Sequence, residues 1–171
     1  MQQRQKKSGL LILGAGQYGQ VVRETAEAMG CFDHIAFLDD SNPVAVGKLA
    51  EYPQFVGAYS CAFVAMGNPQ LRKKWQREVE QAGFSLPTLI HPGAYVSPTA
   101  MLGKGIIVEP MAVVNTDAKV EDGCLLCAGC VINHNASVKA LCQIDCNAVV
   151  AANATVAEGT KVPSGTVYES K

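Results

Sequence analysis

A six-residue rhythm runs through the second half of the chain, from Ile90 to Val167. Read in sixes from Ile90, all thirteen first positions are Ile, Val or Leu, and every fifth position except Ile106 is Ala, Cys or Thr. Most fourth positions are Gly, Asn or Asp, which tolerate left-handed backbone conformations. An α-helix cannot keep a period of six on one face. We therefore expect short strands joined by tight corners, stacked as a parallel β-helix.

The first half has a different pattern, in which apolar runs alternate with helical stretches. LLIL, HIAFLD and AFVAM are predicted strands, and helices are predicted over about Tyr18–Met29 and over PQLRKKWQREVEQAG, closed by Gly83. Strands alternating with helices imply a small parallel sheet, here half of a doubly wound nucleotide-binding fold. The sequence predicts two domains, a Rossmann-like α/β domain over residues 1–87 and a β-helix over residues 88–171.

Composition excludes several classes of protein. A formal net charge of −1 gives no footprint for nucleic acid. The apolar run after MQQRQKK is too short for a signal peptide, and no stretch is long enough to span a membrane, so we expect a cytoplasmic protein. Seven cysteines are an odd number for a disulfide framework. Cys124, Cys127 and Cys130 follow the repeat without completing a zinc ligand set, which favours packing over a metal site.

The segment GAGQYG has the spacing of a phosphate-binding loop. Gly14, Gly16 and Gly19 allow a tight turn and a close backbone approach, and the N-terminus of the following helix favours an anion. Asp39 and Asp40 end the next predicted strand, where a carboxylate can accept ribose hydroxyls. A dehydrogenase that binds NAD is disfavoured, because the half-sized domain cannot hold both nucleotides and no hydride-transfer site follows.

Several motifs together, in their order and spacing, resemble one family. GAGQYG, FLDD, MGNPQLRKKW, LIHPGAYVSPTA and VINHN are similar to segments of the hexapeptide-repeat sugar-nucleotide acyltransferases. Typical members are the bacterial UDP-4-amino-sugar N-acetyltransferases and the sialic-acid O-acetyltransferases. The resemblance covers nearly the whole chain and implies a left-handed β-helix with three repeats per coil. It also implies a homotrimer with acetyl-CoA between neighbouring β-helices and a UDP- or GDP-sugar in the N-terminal half.

The resemblance assigns the sugar-nucleotide pocket residue by residue. Gly67 and Asn68 are expected to line its floor, and Tyr18 stands where the family usually has His. The full predicted set is Gly14, Gly16, Gln17, Tyr18, Gly19, Asp39, Asp40, Gly67 and Asn68.

His134 is the predicted catalytic base. It occupies the third position of its repeat, which should point away from the core, while Ile132 and Ala136 do the packing. A neutral imidazole is a suitable general base for acyl transfer near pH 7. The resemblance places the family's catalytic histidine here, and Asn135 stands where relatives have Glu or Asp. An amide can hold a tautomer, but it cannot stabilise the imidazolium by charge.

Three further residues are predicted to contact the cofactor, acetyl-CoA. With three repeats per coil, Ala152 lies one coil beyond His134, where the family usually has Gly. Its N–H is the candidate donor to the oxyanion. Gln143 and Cys127 stand where some relatives have His and Asn. We also expect a shortened CoA groove, because the chain after His134 is about two coils shorter than is typical of the family.

The predicted function is transfer of acetyl from acetyl-CoA to the amino group of a UDP- or GDP-linked amino sugar, without a metal. Two alternatives remain open. One is O-acetylation of a sugar or sialic-acid-like acceptor, and the other is a shortened homologue that binds nucleotide sugars but is catalytically impaired. A homotrimer is predicted from outward apolar residues, namely Met101, Val113, Leu125, Val131 and Val149.

Overall fold

A computed structural model describes residues 8–170 of the chain. The basic stretch before LLIL lies in residues 1–7, outside the described residues. The first domain contains, in chain order, β1 (Ser8–Leu13), α1 (Gln17–Met29), β2 (Phe32–Leu38), a 3₁₀ helix (Leu49–Phe55), β3 (Cys61–Val64) and α2 (Pro69–Gln81). The three strands are parallel and lie in the order β2-β1-β3. The strands and helices expected from the sequence are present, and the 3₁₀ helix was not predicted.

Local signals explain where the two helices begin and end. α1 ends at Gly30, which adopts a left-handed conformation with φ of 63°. α2 begins after Asn68, whose side chain accepts a hydrogen bond from the Leu71 N–H, and Pro69 occupies the first helical position. The Asn68 cap lies in the loop after β3, at the edge of the sheet that holds the candidate site.

The second domain is a parallel β-helix of fourteen two-residue strands arranged in three faces. The first face holds β4 (Leu89–Ile90), β7 (Ile107–Val108), β10 (Leu125–Leu126), β13 (Gln143–Ile144) and β16 (Lys161–Val162). The second face holds β5 (Tyr95–Val96), β8 (Val113–Val114), β11 (Val131–Ile132), β14 (Val149–Val150) and β17 (Val167–Tyr168). The third face holds β6 (Met101–Leu102), β9 (Lys119–Val120), β12 (Ser137–Val138) and β15 (Thr155–Val156). Partners in neighbouring coils are eighteen residues apart, as Leu125 and Gln143 are.

The interior of the β-helix is filled as the repeat predicts. First-position aliphatics and fifth-position small residues form one continuous buried cluster. Fourth positions from Gly105 to Gly165 all have positive φ, including Met111 at 61° and Leu141 at 64°. A bulky side chain seldom adopts this conformation, so the stacking of the coils imposes it at Met111 and Leu141. The domain boundary at residues 87/88 stays a prediction, within the segment between α2 and β4.

The first face of the β-helix packs against the N-terminal domain. Leu89, Ile107 and Leu125 are almost fully buried there, in one cluster with Val22 and Ala26 of α1. Leu125 was expected to face a second copy of the chain. It is instead covered by its own N-terminal domain, because the outer side of this face is the docking surface for α1. Within the described residues, no helix is long and apolar enough to cross a lipid bilayer.

Arg72 of α2 is fully buried and joins the two domains. Its Nε donates to the Gly123 carbonyl at 2.8 Å, and its Nη2 donates to the Leu141 carbonyl at 2.6 Å, one coil further on. Its Nη1 donates to the carbonyls of Met66 and Gly67. The planar guanidinium fork thus satisfies carbonyls from both domains at once, a geometry that an ammonium group cannot reproduce.

We expect Arg72→Met to lower the free energy of unfolding by about 3 kcal/mol or more, because four carbonyls lose a charged donor. The measurement is the thermal unfolding midpoint. Lys73→Met is the matched control, since the exposed Lys73–Glu158 ion pair contributes about 1 kcal/mol at most. Equal midpoints for the two variants would contradict the role given to Arg72.

Candidate active site

The predicted nucleotide-binding residues lie together at the carboxyl ends of the three parallel strands. β1 is central, with β2 on one side and β3 on the other, so the loops after β1 and β3 diverge to opposite faces of the sheet. A crevice at such a switch point is where open α/β sheets bind ligands. Gly14 follows β1, and Gly67 and Asn68 follow β3. The fold therefore brings the two glycine-containing segments to one edge of the sheet.

Two of the three glycines in GAGQYG are required by the packing of the loop. Gly14 has φ of 106°, and a Cβ on Gly19 would lie 2.1 Å from the Gly14 carbonyl oxygen. Gly16 is exposed with open space around it, and it caps α1 without a side-chain hydrogen bond. The first turn of α1, which contains the exposed Gln17, has no acidic residue. This helix N-terminus is therefore open to an anion.

Asp39 pins the glycine loop. Its carboxylate accepts hydrogen bonds from the backbone N–H groups of Ala15 at 2.8 Å, Ser41 at 3.0 Å and Asn42 at 3.0 Å. The bond from Ala15 comes first among the causes that lower the pKa of Asp39 to about 2. Asn42, which the sequence did not single out, also donates from Nδ2 to the Ala15 carbonyl at 2.7 Å. The neighbouring Asp40 is exposed.

Tyr18 points toward the β-helix. Its hydroxyl is buried beside Glu109 and Cys127. Burial raises the pKa of Tyr18 well above its usual value, and burial likewise raises the pKa of Glu109. Tyr18 therefore sits at the domain junction, whereas the resemblance implied a substrate contact, which stays a prediction.

His134 and Asn135 lie on the corner between β11 and β12, here called the histidine corner (residues 133–136). Both are exposed. The His134 backbone N–H donates to the Asn133 Oδ1 at 2.9 Å, and the His134 Nδ1 lies 3.0 Å from the same oxygen. Asn135 has φ of 58°, and its N–H donates to the Thr116 carbonyl. Asn133 was not predicted, although its second position just before His134 could have indicated it.

Ala152 lies one coil beyond His134, at the same corner. The adjoining Asn153 N–H donates to the His134 carbonyl at 3.1 Å, which fixes the two coils against each other. The Ala152 N–H donates to no described residue. An unpaired backbone donor therefore lies next to the histidine.

Other third-position N–H groups show why this donor is open. The N–H groups of Ala128 and Ala140 donate to the carboxylates of Glu109 and Glu121, which lie nineteen residues earlier at second positions. Nineteen residues before Ala152 the second position holds Asn133, whose oxygen contacts His134. No carboxylate therefore covers the Ala152 N–H from the coil below.

Gln143 and Cys127 lie elsewhere on the same chain. Gln143 projects from the first face and donates to the Asp145 carboxylate at 2.6 Å, and Cys127 is buried at the corner after β10. The structure thus brings His134, Asn135 and Ala152 together in one chain, apart from Gln143, Cys127 and the glycine loop. The second face lies between these two groups of residues. Its outward residues are apolar, namely Tyr95, Val113, Val131, Val149 and Val167.

Three of the cysteines occupy fifth positions of the repeat. Cys124, Cys130 and Cys142 point into the β-helix core, and all seven thiols are free. In residues 8–170 no group of three or more His, Cys, Asp or Glu side chains is arranged to hold a metal ion.

The hydrogen bonds to Asp39 predict a pH-dependent stability. The stabilisation is fully present above about pH 4, the unfolded pKa, and is lost as the pH falls toward the folded value near 2. We expect the thermal unfolding midpoint of Asp39→Asn to lie several degrees below that of the wild type at pH 7. This difference in midpoint should disappear between pH 4 and 2. Asp33→Asn, at an exposed position of β2, is the control. A difference in midpoint that stays constant with pH would refute the stabilising role of the ionised Asp39.

Comparison with known proteins gives consistent matches. Residues 9–79 match the PglD N-terminal domain family. The chain is 30% identical over 106 residues to the UDP-N-acetylbacillosamine N-acetyltransferase of Bacillus subtilis. This match covers 57% of this chain and 49% of that protein. The matched part therefore spans about half the length of that curated relative.

Two solved structures match almost the whole chain. The acetyltransferase domain of PglB from Neisseria gonorrhoeae, in complex with acetyl coenzyme A, has a TM-score of 0.91 and 30% identity, covering 94% of this chain and 82% of that one. PerB from Caulobacter crescentus, in complex with CoA and GDP-perosamine, has a TM-score of 0.61 and 26% identity, covering 93% and 90%. The predicted fold class, a Rossmann-like α/β domain followed by a left-handed β-helix, is confirmed. With these matches, the chain belongs to the family of sugar-nucleotide acetyltransferases.

Proposed function

We propose that this protein transfers the acetyl group of acetyl-CoA to an amino group of a nucleotide-linked sugar, with His134 as the general base. The observation that carries the proposal is the pairing of an exposed histidine with an open backbone donor, the Ala152 N–H, on the next coil. Acyl transfer needs both parts, a base for the attacking nitrogen and a donor for the developing oxyanion. The Bacillus subtilis relative is a UDP-N-acetylbacillosamine N-acetyltransferase, and PerB was solved with CoA and GDP-perosamine, which supports the same reaction.

The chemistry assigns one role to each group. The His134 imidazole takes a proton from the sugar amine as the nitrogen attacks the thioester carbonyl carbon and the C–N bond forms. The carbonyl electron pair moves to oxygen, which accepts a hydrogen bond from the Ala152 N–H. When the carbonyl re-forms, the C–S bond breaks, and the imidazolium returns its proton to the CoA thiolate. The products are the N-acetyl sugar and free CoA thiol.

The glycine loop is the proposed site for the nucleotide. The open N-terminus of α1 at Gly16 and Gln17 suits a diphosphate, and the loop is already held in place by Asp39. The exposed Asp40 is the carboxylate left to accept ribose hydroxyls, although one of its oxygens also accepts the Leu49 N–H. UDP and GDP are both compatible with this arrangement, because the diphosphate is common to both.

A homotrimer would complete the site. The glycine loop and the histidine corner lie on either side of the second face, whose apolar ladder leaves Tyr95 54% and Val167 64% exposed. Packing of this face against another copy would cover the ladder. It would also bring Gln143 and Cys127 of one copy toward Ala152 of its neighbour, which suits a CoA groove shared between chains.

A second candidate is a homologue that binds the sugar nucleotide without efficient turnover. Asn135 provides no charge to stabilise an imidazolium, and the Ala152 methyl group narrows the approach to its own N–H. O-acetylation at the same site differs only in the acceptor atom, and a panel of acceptors distinguishes amine from hydroxyl.

A thiol-release assay with acetyl-CoA and UDP- or GDP-linked amino sugars tests the proposal. We expect turnover by the wild type and a loss of about 10²- to 10⁴-fold in His134→Ala, since a general base contributes that much. His91→Ala is the control, because His91 lies on another corner, where its Nδ1 accepts the Gly93 N–H. No turnover with any acceptor, with nucleotide binding intact by calorimetry, would overturn the proposal in favour of the binding homologue.

The Ala152 N–H can be removed with little change of shape. Third positions of the repeat accept proline at Pro92, Pro98 and Pro110. Ala152→Pro should therefore fold, and we expect it to lower kcat by about 10²- to 10³-fold, the usual loss of one oxyanion donor. Thr116→Pro, at the same corner one coil before His134, is the control and should retain activity. Equal activities in the two variants would exclude the Ala152 N–H as the donor.

A further inference from the structure

We propose that Asn133 is a positioning residue that fixes His134 in the tautomer with its proton on Nδ1, and so presents an unprotonated Nε2 as the base. The catalytic consequence rests on the function proposed above, whereas the tautomer itself can be measured without any substrate.

The hydrogen bonds identify which atom of Asn133 faces the ring. The His134 backbone N–H lies 2.9 Å from that atom, and a backbone N–H can only donate. The atom is therefore the carbonyl oxygen, because the amide nitrogen in its place would set donor against donor. The ring Nδ1, 3.0 Å from the same oxygen, must also donate to form a bond. In a neutral imidazole the other nitrogen, Nε2, then carries the lone pair.

The neighbouring coil holds Asn133 in this orientation. Asn115, eighteen residues earlier in the same column, places its Nδ2 3.5 Å from the Asn133 Oδ1. Both asparagines are half-buried. This weak third contact is compatible with an oxygen at that point, which the backbone N–H of His134 identifies.

Side-chain length explains why this second position behaves differently from two others. Glu109 and Glu121 reach up to the third-position N–H of the next coil. Asn133 is one methylene shorter, and its oxygen instead meets its own corner. An Asn rather than a Glu at this position thus does two things: it orients His134, and it leaves the Ala152 N–H open. Asn135, which follows the histidine, makes no hydrogen bond to the ring within the described residues.

The test is ¹⁵N NMR of the full chain labelled at its three histidines, without substrate, at a pH where His134 is neutral. The His134→Ala spectrum assigns the His134 signals. We expect the wild type and Asn135→Ala to show His134 with its proton on Nδ1. Asn133→Ala should shift the population toward the Nε2–H form, which free imidazole side chains favour. An Nε2–H tautomer in the wild type, or an unchanged tautomer in Asn133→Ala, would overturn the proposal.

Activity separates this role from a structural one. We expect kcat/KM to fall about tenfold in Asn133→Ala, the loss of one hydrogen bond, and to be largely retained in Asn133→Asp, which keeps the oxygen in place. Asn133→Glu should reach the Ala152 N–H and lower kcat more than Asn133→Ala does. Wild-type activity in Asn133→Glu would contradict the length argument. Turnover retained in His134→Ala would defeat the proposed function, whereas the NMR result would still decide the tautomer.

Discussion

Backbone pairing at a constant separation of eighteen residues is the constraint on which the rest of the molecule depends. It forces a left-handed conformation on every sixth residue between Gly105 and Gly165, even where the residue is Met111 or Leu141. It also builds columns of side chains at each corner. One of these columns carries Asn115 and Asn133, and the adjoining one carries His134 and Ala152. The candidate chemistry is therefore a property of stacked coils, because no single repeat holds both the base and the oxyanion donor.

The N-terminal domain is held against the β-helix by apolar burial and by the hydrogen bonds of the buried Arg72. The outward aliphatic side chains of the first face pack against α1. Arg72 donates hydrogen bonds to carbonyls of two coils and of the loop after β3. The same loop packs against Gly14 of the glycine loop, and the neighbouring Ala15 N–H donates a hydrogen bond to Asp39. Arg72 thus contributes both to the docking of the domains and to the position of the loop after β3 at the proposed nucleotide pocket.

The sequence predicted the features that depend on periodicity. It did not predict the contacts between residues that are distant along the chain. The hexapeptide register identified the β-helix core and the outward position of His134, and the strand–helix alternation identified the sheet. Nothing local marks Arg72 as buried, because its two acceptors on the β-helix, the carbonyls of Gly123 and Leu141, lie 51 and 69 residues away. Leu125 was assigned to an outer face for the same reason, since the docking of the domains covers it. Asn133 differs from these, because its position directly before His134 is visible in the sequence. The sequence-based prediction nevertheless assigned the supporting role to Asn135.

The glycine loop and the histidine corner lie on either side of the apolar second face, and we propose that they form one acetyltransferase site between neighbouring copies. A crystal structure of the protein with CoA and a UDP-linked amino sugar tests that claim most directly. We expect the sugar amine to lie roughly 2.6–3.2 Å from the His134 Nε2, directly or through one water. We also expect the CoA thiol beside the Ala152 N–H and the diphosphate on the glycine loop of an adjacent copy. CoA and sugar bound away from His134 would contradict the proposal.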